Sequence, residues 1–317
     1  MKNLKPLAQE KAWAHLLKIS GSLPQGLILI GPSGVGKRRT VKALFQYLHC
    51  EGVGERPCGE CAGCRKVAEG RHADFIEIAA TGEEIKVDDL REMKKALFFP
   101  PIDGAVRFVL LDEAHRLNAH SANALLKTLE EPPAHTRFFL VTHERGLLPP
   151  TILSRCQFVY FSPLDHETIS ALLEKLSIGI PAQLRTLCLD LMAGGMSRAE
   201  MFSDEKTLEF LAAVFDAVEK AGRAGAGAWE SAVRLADSLG NDGAKIELFL
   251  DVLLRSRAQA AREALEPDRR SDAAYAACKE ALETALLRRR LSSYANKKLI
   301  ALAASSLAHS DAAGERG

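Results

Sequence analysis

The chain has 317 residues, 47% of them hydrophobic and 26% charged, with a formal net charge of +1. That length exceeds what one hydrophobic core organises, so two or three domains are expected. The near-zero charge excludes a chain drawn to polyanions as a whole, no apolar run approaches the ~20 residues that cross a bilayer, and MKNLKPLAQEKAW at the start lacks the apolar centre of a signal peptide, so a cytoplasmic protein without a membrane partner is expected.

Residues 8–20 place Ala12, Trp13, Leu16 and Leu17 at helical spacing, and 23–26 break that pattern. An apolar strand follows at 27–30. It ends in a glycine-rich turn in which Gly31, Gly36 and Lys37 fit the G-x-x-x-x-G-K frame of a phosphate-binding loop, with Gly34 inside it. Such a loop aims backbone N–H groups and the positive end of a helix at a polyphosphate. The next position should carry the Ser or Thr hydroxyl that holds Mg²⁺, and here it is Arg38, a cation with no lone pair for a metal. The loop is equipped to hold ATP or ADP and poorly equipped to hydrolyse it, and Mg²⁺ is not expected. A helix continues over 41–48.

Seven cysteines in a reducing compartment call for something other than disulfides. Four of them, Cys50, Cys58, Cys61 and Cys64, have the spacing of a tetrahedral Zn²⁺ site. With every position filled by sulfur, no coordination site is left for a substrate water, and the metal is structural. His49 and His72 flank the group and read as surface histidines. Cys156, Cys188 and Cys278 are isolated and read as small core residues.

A short strand is expected at 74–78 and a helix at 87–98, with Asp88 and Asp89 in its first turn and Lys94 and Lys95 in its last, as the helix dipole prefers. Pro100 and Pro101 end it. A second apolar strand, 106–112, runs into Glu113. In a P-loop nucleotidase Asp112 would hold the Mg²⁺ shell and Glu113 would orient the attacking water. Ser121 reads as the N-cap of a helix over 122–131, stopped by Pro132 and Pro133. Apolar strands at 137–142 and 157–161, separated by Pro149 and Pro150, complete an alternation that argues for an α/β layer with a parallel sheet. Strand signals then stop. Helices are expected at 164–176, 183–192, 208–220, 229–239, 243–265 and 271–308, with a glycine-rich break at 221–227 and a frayed tail at 308–317.

Residues 105–161 resemble the bacterial clamp-loader AAA+ subunits, the delta-prime and gamma/tau subunits of DNA polymerase III. The resemblance is carried by LLDEAHRLNAHSANALLKTLEEPPAHTRFFLVT at 110–142, by Ser154-Arg155-Cys156, and by the four-cysteine insert directly after the P-loop helix. It implies an AAA+ P-loop domain over 1–163 with the zinc module at 50–64, a helical lid at 164–204, and an all-α collar at 205–317 through which subunits form a ring. Arg38, the short segment before residues 7–11 and the single helical domain after the lid are similar to the delta-prime branch. That branch implies a stator that helps load the sliding clamp onto primed DNA. Its partners are gamma/tau and delta in a hetero-pentameric ring.

Arg155 would then act as a finger in trans on a neighbour's γ-phosphate, while Asp112 and Glu113 persist from a catalytic ancestor. Intrinsic ATPase would be weak or absent, with no polymerase chemistry. Thr142 stands where the family's sensor-1 residue sits, or is a β-favouring Thr closing a strand. The segment Gly194-Gly195-Met196-Ser197-Arg198 resembles the sensor-2 region, with Arg198 or, in the other register, Ser197 facing the nucleotide. Arg288, Arg289, Arg290, Lys297 and Lys298 read as a solvated helix face. Two other readings stand beside this one. The first is a gamma/tau-like active ATPase. The second is a zinc-bearing DNA-binding module, against which residues 50–64 offer no aromatic side chain and only Arg56 as a base.

Overall fold

The computed structural model describes residues 4–6, 8–80, 82, 84–192, 194–224 and 243–264. The chain divides into two compact units, Met1–Leu172 with Met192–Arg198, and Leu173–Leu191 with Ala199–Gly317.

The first unit is built on five parallel strands, β1 (Gly26–Ile30), β2 (Phe75–Ile78), β3 (Arg107–Leu111), β4 (Thr136–Thr142) and β5 (Gln157–Tyr160), in the order β2-β3-β4-β1-β5. All five residues of β1 and all five of β3 are buried. That is why both read as unbroken apolar runs: a parallel sheet is covered on both faces. The period of two sorts their side chains. Ile28, Ile30, Val109, Leu111, Phe138 and Leu140 pack on one face against Leu90, Met93 and Leu97 of α4 (Val87–Leu97) and Ala122, Leu125 and Leu129 of α5 (Ala119–Glu130). On the other face Phe108 meets Phe139 at 4.4 Å and Phe45 of α2 (Lys37–Leu48) at 4.9 Å between ring centroids. Before the sheet comes α1 (Glu10–Ile19), which buries Ala12, Trp13 and Leu16.

The expected strands all form, within a residue or two of their sequence bounds. Some helices differ. The N-cap of α5 is Asn118, whose side chain accepts from the Ser121 N–H at 2.9 Å, so the helix starts three residues before the expected position and Ser121 lies inside it. A short helix α3 (Ala62–Ala68) was not expected; Cys61 caps it, its sulfur accepting from the Cys64 N–H. Pro150, read as a breaker, opens α6 (Pro150–Leu153), because a first-turn proline gives up an N–H that has no partner in any case. Beyond β5 comes α7 (His166–Lys175).

The second unit contains α8 (Ala182–Leu191), α9 (Glu205–Ala224) and α10 (Gly243–Ala264). Leu184, Leu187, Leu211, Val214, Val218, Ile246, Phe249 and Leu253 are buried there, and Arg255 Nε donates to Asp190 Oδ2 at 2.5 Å. The helices expected at 229–239 and 271–308 lie outside the described residues, as do Cys278, Arg288–Arg290, Lys297 and Lys298. No helix among the described residues is long and apolar enough to cross a membrane.

Candidate functional site

Parallel strands deliver their carboxyl ends to one edge of the sheet, where α/β proteins bind ligands. In register, Ile30 of β1 pairs with Thr142 of β4, and Leu111 of β3 pairs with Leu140. The loop after β1, the acid pair after β3 and the end of β4 therefore meet. They surround a pocket of about 380 Å³ whose wall includes Gly34, Gly36, Lys37, Arg38, Asp112, Glu113 and Thr142.

The loop is shaped by two glycines in the left-handed region, Gly34 at φ +77° and Gly36 at φ +97°. Gly34 is also crowded: a Cβ there would lie 2.1 Å from Ser197 N. Gly195 is its counterpart, where a Cβ would lie 1.9 Å from Ser33 O. Two missing side chains thus let the backbone of 194–197 lie directly on the loop, where Met196 N donates to Gly34 O at 3.0 Å. Met196 lines the pocket; Arg198, half-buried, does not.

Lys37 is only 6% exposed, and its Nζ donates to the carbonyls of Gly31 and Pro32, both at 2.6 Å. Burial lowers its pKa to about 8, against the pull of the Asp112 carboxylate. Arg38 turns toward the neighbouring strands. It pairs with Glu77 of β2 and stands 3.9 Å from Asp112 Oδ2. Burial opposes the Arg38 charge, but Glu77 and Asp112 outweigh it and hold the guanidinium more firmly protonated than a free arginine. Lys42, one turn further along α2, reaches the other Glu77 oxygen at 2.7 Å. Burial alone would raise the Glu77 pKa, and its two basic partners bring it below the usual carboxylate value.

A Mg²⁺ site in this fold needs a hydroxyl after the loop lysine and an acid at the end of β3 open to the metal. Here the first is a guanidinium and the second already faces that guanidinium, so the residues present do not fit the ion. They do fit a phosphate group, offered by Lys37, Arg38 and the loop backbone.

Glu113, two residues past the end of β3, has φ +49°, a conformation a non-glycine residue rarely adopts. Its N–H donates to Asp112 Oδ1 at 3.0 Å. Thr142 is buried; its hydroxyl donates to Glu144 O at 3.0 Å and accepts from Glu144 N at 3.3 Å. The pocket also holds a pair that the sequence reading missed. His115 and His143 stand ring to ring, 4.2 Å apart at 79°, and His115 Nδ1 is buried without a hydrogen-bond partner. Burial, then His143, Arg116 and Lys37, lower the His115 pKa to about 4. The run Asp112-Glu113-Ala114-His115 off a strand end was the available signal for the first ring; the second arrives only through the pairing of β3 with β4.

Arg155 lies elsewhere, at the turn between α6 and β5. Its guanidinium donates to Thr151 O at 3.0 Å and pairs with Glu130 of α5 at 2.7 Å. It does not line the P-loop pocket.

The four clustered cysteines come together at the other end of α2. Their sulfurs all lie within 4.8 Å of one another, with Cys58 and Cys64 at 4.0 Å. Four thiolates around one Zn²⁺ would stand about 3.8 Å apart. N–H groups of Cys61 and Glu60 hold the Cys58 thiol down to about 6, while burial pushes Cys64 up. Gln46, fully buried on α2, donates to Cys64 O at 2.8 Å and accepts from Leu4 N at 3.1 Å, tying the cluster to the body of the unit. His49 and His72 are not surface residues. His72 is 5% exposed, and both rings pack on Phe45, at 3.9 Å for His49 and 4.8 Å for His72. Burial lowers both of their pKa values. The end of α2 and the turn after α3 converge there, which their sequence separation conceals.

Residues 8–165 match the family described as DNA polymerase III, delta subunit. The tau subunit of DNA polymerase III from Salmonella typhimurium is 43% identical over 155 residues, covering 49% of this chain and 24% of that protein. The gamma subunit from Buchnera aphidicola subsp. Acyrthosiphon pisum is 36% identical over 159 residues, 50% of this chain and 44% of that protein. The chain thus spans about a quarter of the length of the tau relative it matches. A gamma subunit-related protein of known structure from Thermotoga maritima superposes over 95% of this chain and 99% of its own, with a TM-score of 0.53 at 20% identity.

Fold and loop together define an AAA+ P-loop protein. Residues 8–165 belong, more narrowly, to the clamp-loader AAA+ subunits of DNA polymerase III related to gamma and tau.

Proposed function

We propose that this chain is a delta-prime-like stator of a clamp loader: it retains a nucleotide without turning it over and serves the ATPase of a neighbour. The observation that carries the proposal is Arg38, placed where a hydroxyl should bind Mg²⁺, ion-paired to Glu77 of β2 and facing Asp112 at the end of β3. Without a metal between the β- and γ-phosphates, charge developing in phosphoryl transfer goes unneutralised. The role in loading a sliding clamp onto primed DNA, the partners gamma/tau and delta, and the cytoplasmic setting follow from the likeness to DNA polymerase III subunits. In this reading residues 164–204 form the lid and 205–317 the collar of the ring. Zn²⁺ holds Cys50, Cys58, Cys61 and Cys64 together, and Arg198 or Ser197 takes the sensor-2 place.

Arg155 is the residue offered in trans. Its guanidinium is 36% exposed on its side chain and is held by Thr151 and Glu130, so it would meet a neighbour's phosphate already oriented. The test mixes this chain with gamma/tau and delta and follows assembly by light scattering. A complex of defined stoichiometry is expected, and Arg155→Ala should lower its ATPase at least tenfold while assembly persists. No complex, or an unchanged rate in the Arg155→Ala assembly, overturns the proposal. Brisk Mg²⁺-dependent hydrolysis by the chain alone, abolished by Lys37→Ala, would instead identify a gamma-like motor.

A further inference from the structure

We infer that the P-loop pocket takes a nucleoside diphosphate or triphosphate free of divalent metal, with the guanidinium of Arg38 standing permanently in the place of the cation. The inference rests on the reading of this loop as a phosphate cradle without turnover and specifies the form of the ligand.

A nucleotide brought in as its Mg²⁺ complex needs the ion to be shared between phosphate oxygens and protein oxygens. The two acids beside Arg38 already face cations. Asp112 Oδ2 faces Arg38 Nε at 3.9 Å, and Glu77 receives both Arg38 and Lys42. A divalent ion arriving at Asp112 would have to displace a cation covalently fixed to the first turn of α2. Repulsion between that cation and Mg²⁺, beside an Asp112 side chain that is only 21% exposed, works against it. A bare polyphosphate meets the opposite situation. It needs positive charge at the loop, and Lys37 and Arg38 supply it from successive residues. Lys37 is already gathered against the carbonyls of Gly31 and Pro32 and can exchange them for phosphate oxygens. His115, whose Nδ1 is buried without a partner, stands on the same wall and adds a donor in the tautomer that protonates Nδ1.

Charged and titratable groups surround this pocket: Lys37, Arg38 and Arg39 come from α2, Asp112, Glu113 and His115 from the segment after β3, and His143 from just after β4. Arg38 is the one that decides whether metal is needed, because it alone is shared with Asp112 and Glu77 among the ion pairs of the described residues.

The experiment is titration calorimetry of the purified full chain with ADP, in excess EDTA and again in excess Mg²⁺. ADP should bind in EDTA, with an affinity equal to or tighter than in Mg²⁺, because the ion only withdraws charge from the ligand. Lys37→Ala should abolish the heat, which localises it to the loop. Arg38→Thr should reverse the preference, with Mg²⁺ tightening ADP at least tenfold, since Asp112 is released and an oxygen ligand is restored. Circular dichroism confirms that each variant is folded. Failure of ADP to bind in EDTA overturns the inference, whether or not Mg²⁺ rescues it; so does an Arg38→Thr protein that remains indifferent to Mg²⁺. A chain that binds metal-free ADP yet never joins gamma/tau and delta would sink the stator reading and leave this one standing.

Discussion

Single residues fix the mouth of the pocket, and two glycines separate their reasons. Gly34 and Gly36 both hold positive φ, and for each an alanine bears the cost of left-handed backbone, about 1–2 kcal/mol. Their surroundings differ. A Cβ on Gly36 meets nothing within 4 Å, whereas one on Gly34 meets Ser197 N at 2.1 Å and Met196 N at 2.5 Å. These are backbone atoms and cannot rotate aside. Gly36→Ala should therefore cost about 1–2 kcal/mol in urea unfolding, and Gly34→Ala about 3–5, the excess being overpacking against the 194–197 segment. Equal costs for the two would show that this segment does not rest on the loop. The glycines were legible in the sequence because a phosphate loop is a local spacing. The resemblance of 194–198 to a sensor-2 region brought that segment toward the nucleotide, but that its backbone at 196 and 197 rests on Gly34 was not legible, since nothing near residue 34 announces it.

Elements are joined by contacts the sequence hides more thoroughly. The segment from α4 to β3 carries Phe98, Phe99 and Ile102 at 84%, 71% and 74% exposure, an apolar stretch that solvent alone would not hold in shape. A buried ion pair holds it. Asp74, fully buried before β2, accepts from Ile102 N at 2.8 Å and Asp103 N at 2.7 Å, and pairs with Arg107 at 3.3 Å. Arg107 in turn donates to the carbonyls of Ala96, Phe99 and Pro100 at 2.7, 2.9 and 3.0 Å. Asp74→Ala should cost about 3–5 kcal/mol, because it leaves a guanidinium buried without its counter-charge. Combining it with Arg107→Met should cost less than the sum of the two single changes, since the orphaned charge is then gone. Additive losses in denaturant unfolding would mean the two side chains act separately. Strand positions were readable from apolar runs because a covered parallel sheet admits little else. The roles of Asp74 and Arg107 were not, because a charged residue at a strand start reads as solvated until the neighbouring strand is placed beside it. For the same reason the pairing of Arg38 with Glu77 and of His115 with His143 had to wait for the strand order.

At the scale of the first unit, α2 joins two sites of opposite character. Its first residue is Lys37 of the loop, and its last turn leads into Cys50 of the thiol cluster. Twelve residues at 1.5 Å rise set these ends about 18 Å apart. The cluster is tied to the helix through Gln46, and its metal would brace the chain between α2 and α3, a segment with few buried apolar side chains of its own. The sheet core, with Phe45, Phe108, Phe138 and Phe139 fully buried, does not depend on it. Removing the metal should therefore weaken the fold without dissolving it. One zinc per chain is expected on release with a mercurial thiol reagent in the presence of a colorimetric chelator. The melting temperature should then fall by about 5–15 °C, the shift that a loss of a few kcal/mol produces in a unit of this size. Helical circular dichroism at 25 °C should persist, and ADP affinity should change less than threefold, because the cradle is made from the far end of α2 and from strand ends the cluster does not touch. A large loss of ADP binding on demetallation would mean that strain passes along the helix from thiols to phosphate loop, and that the two ends of α2 form one site.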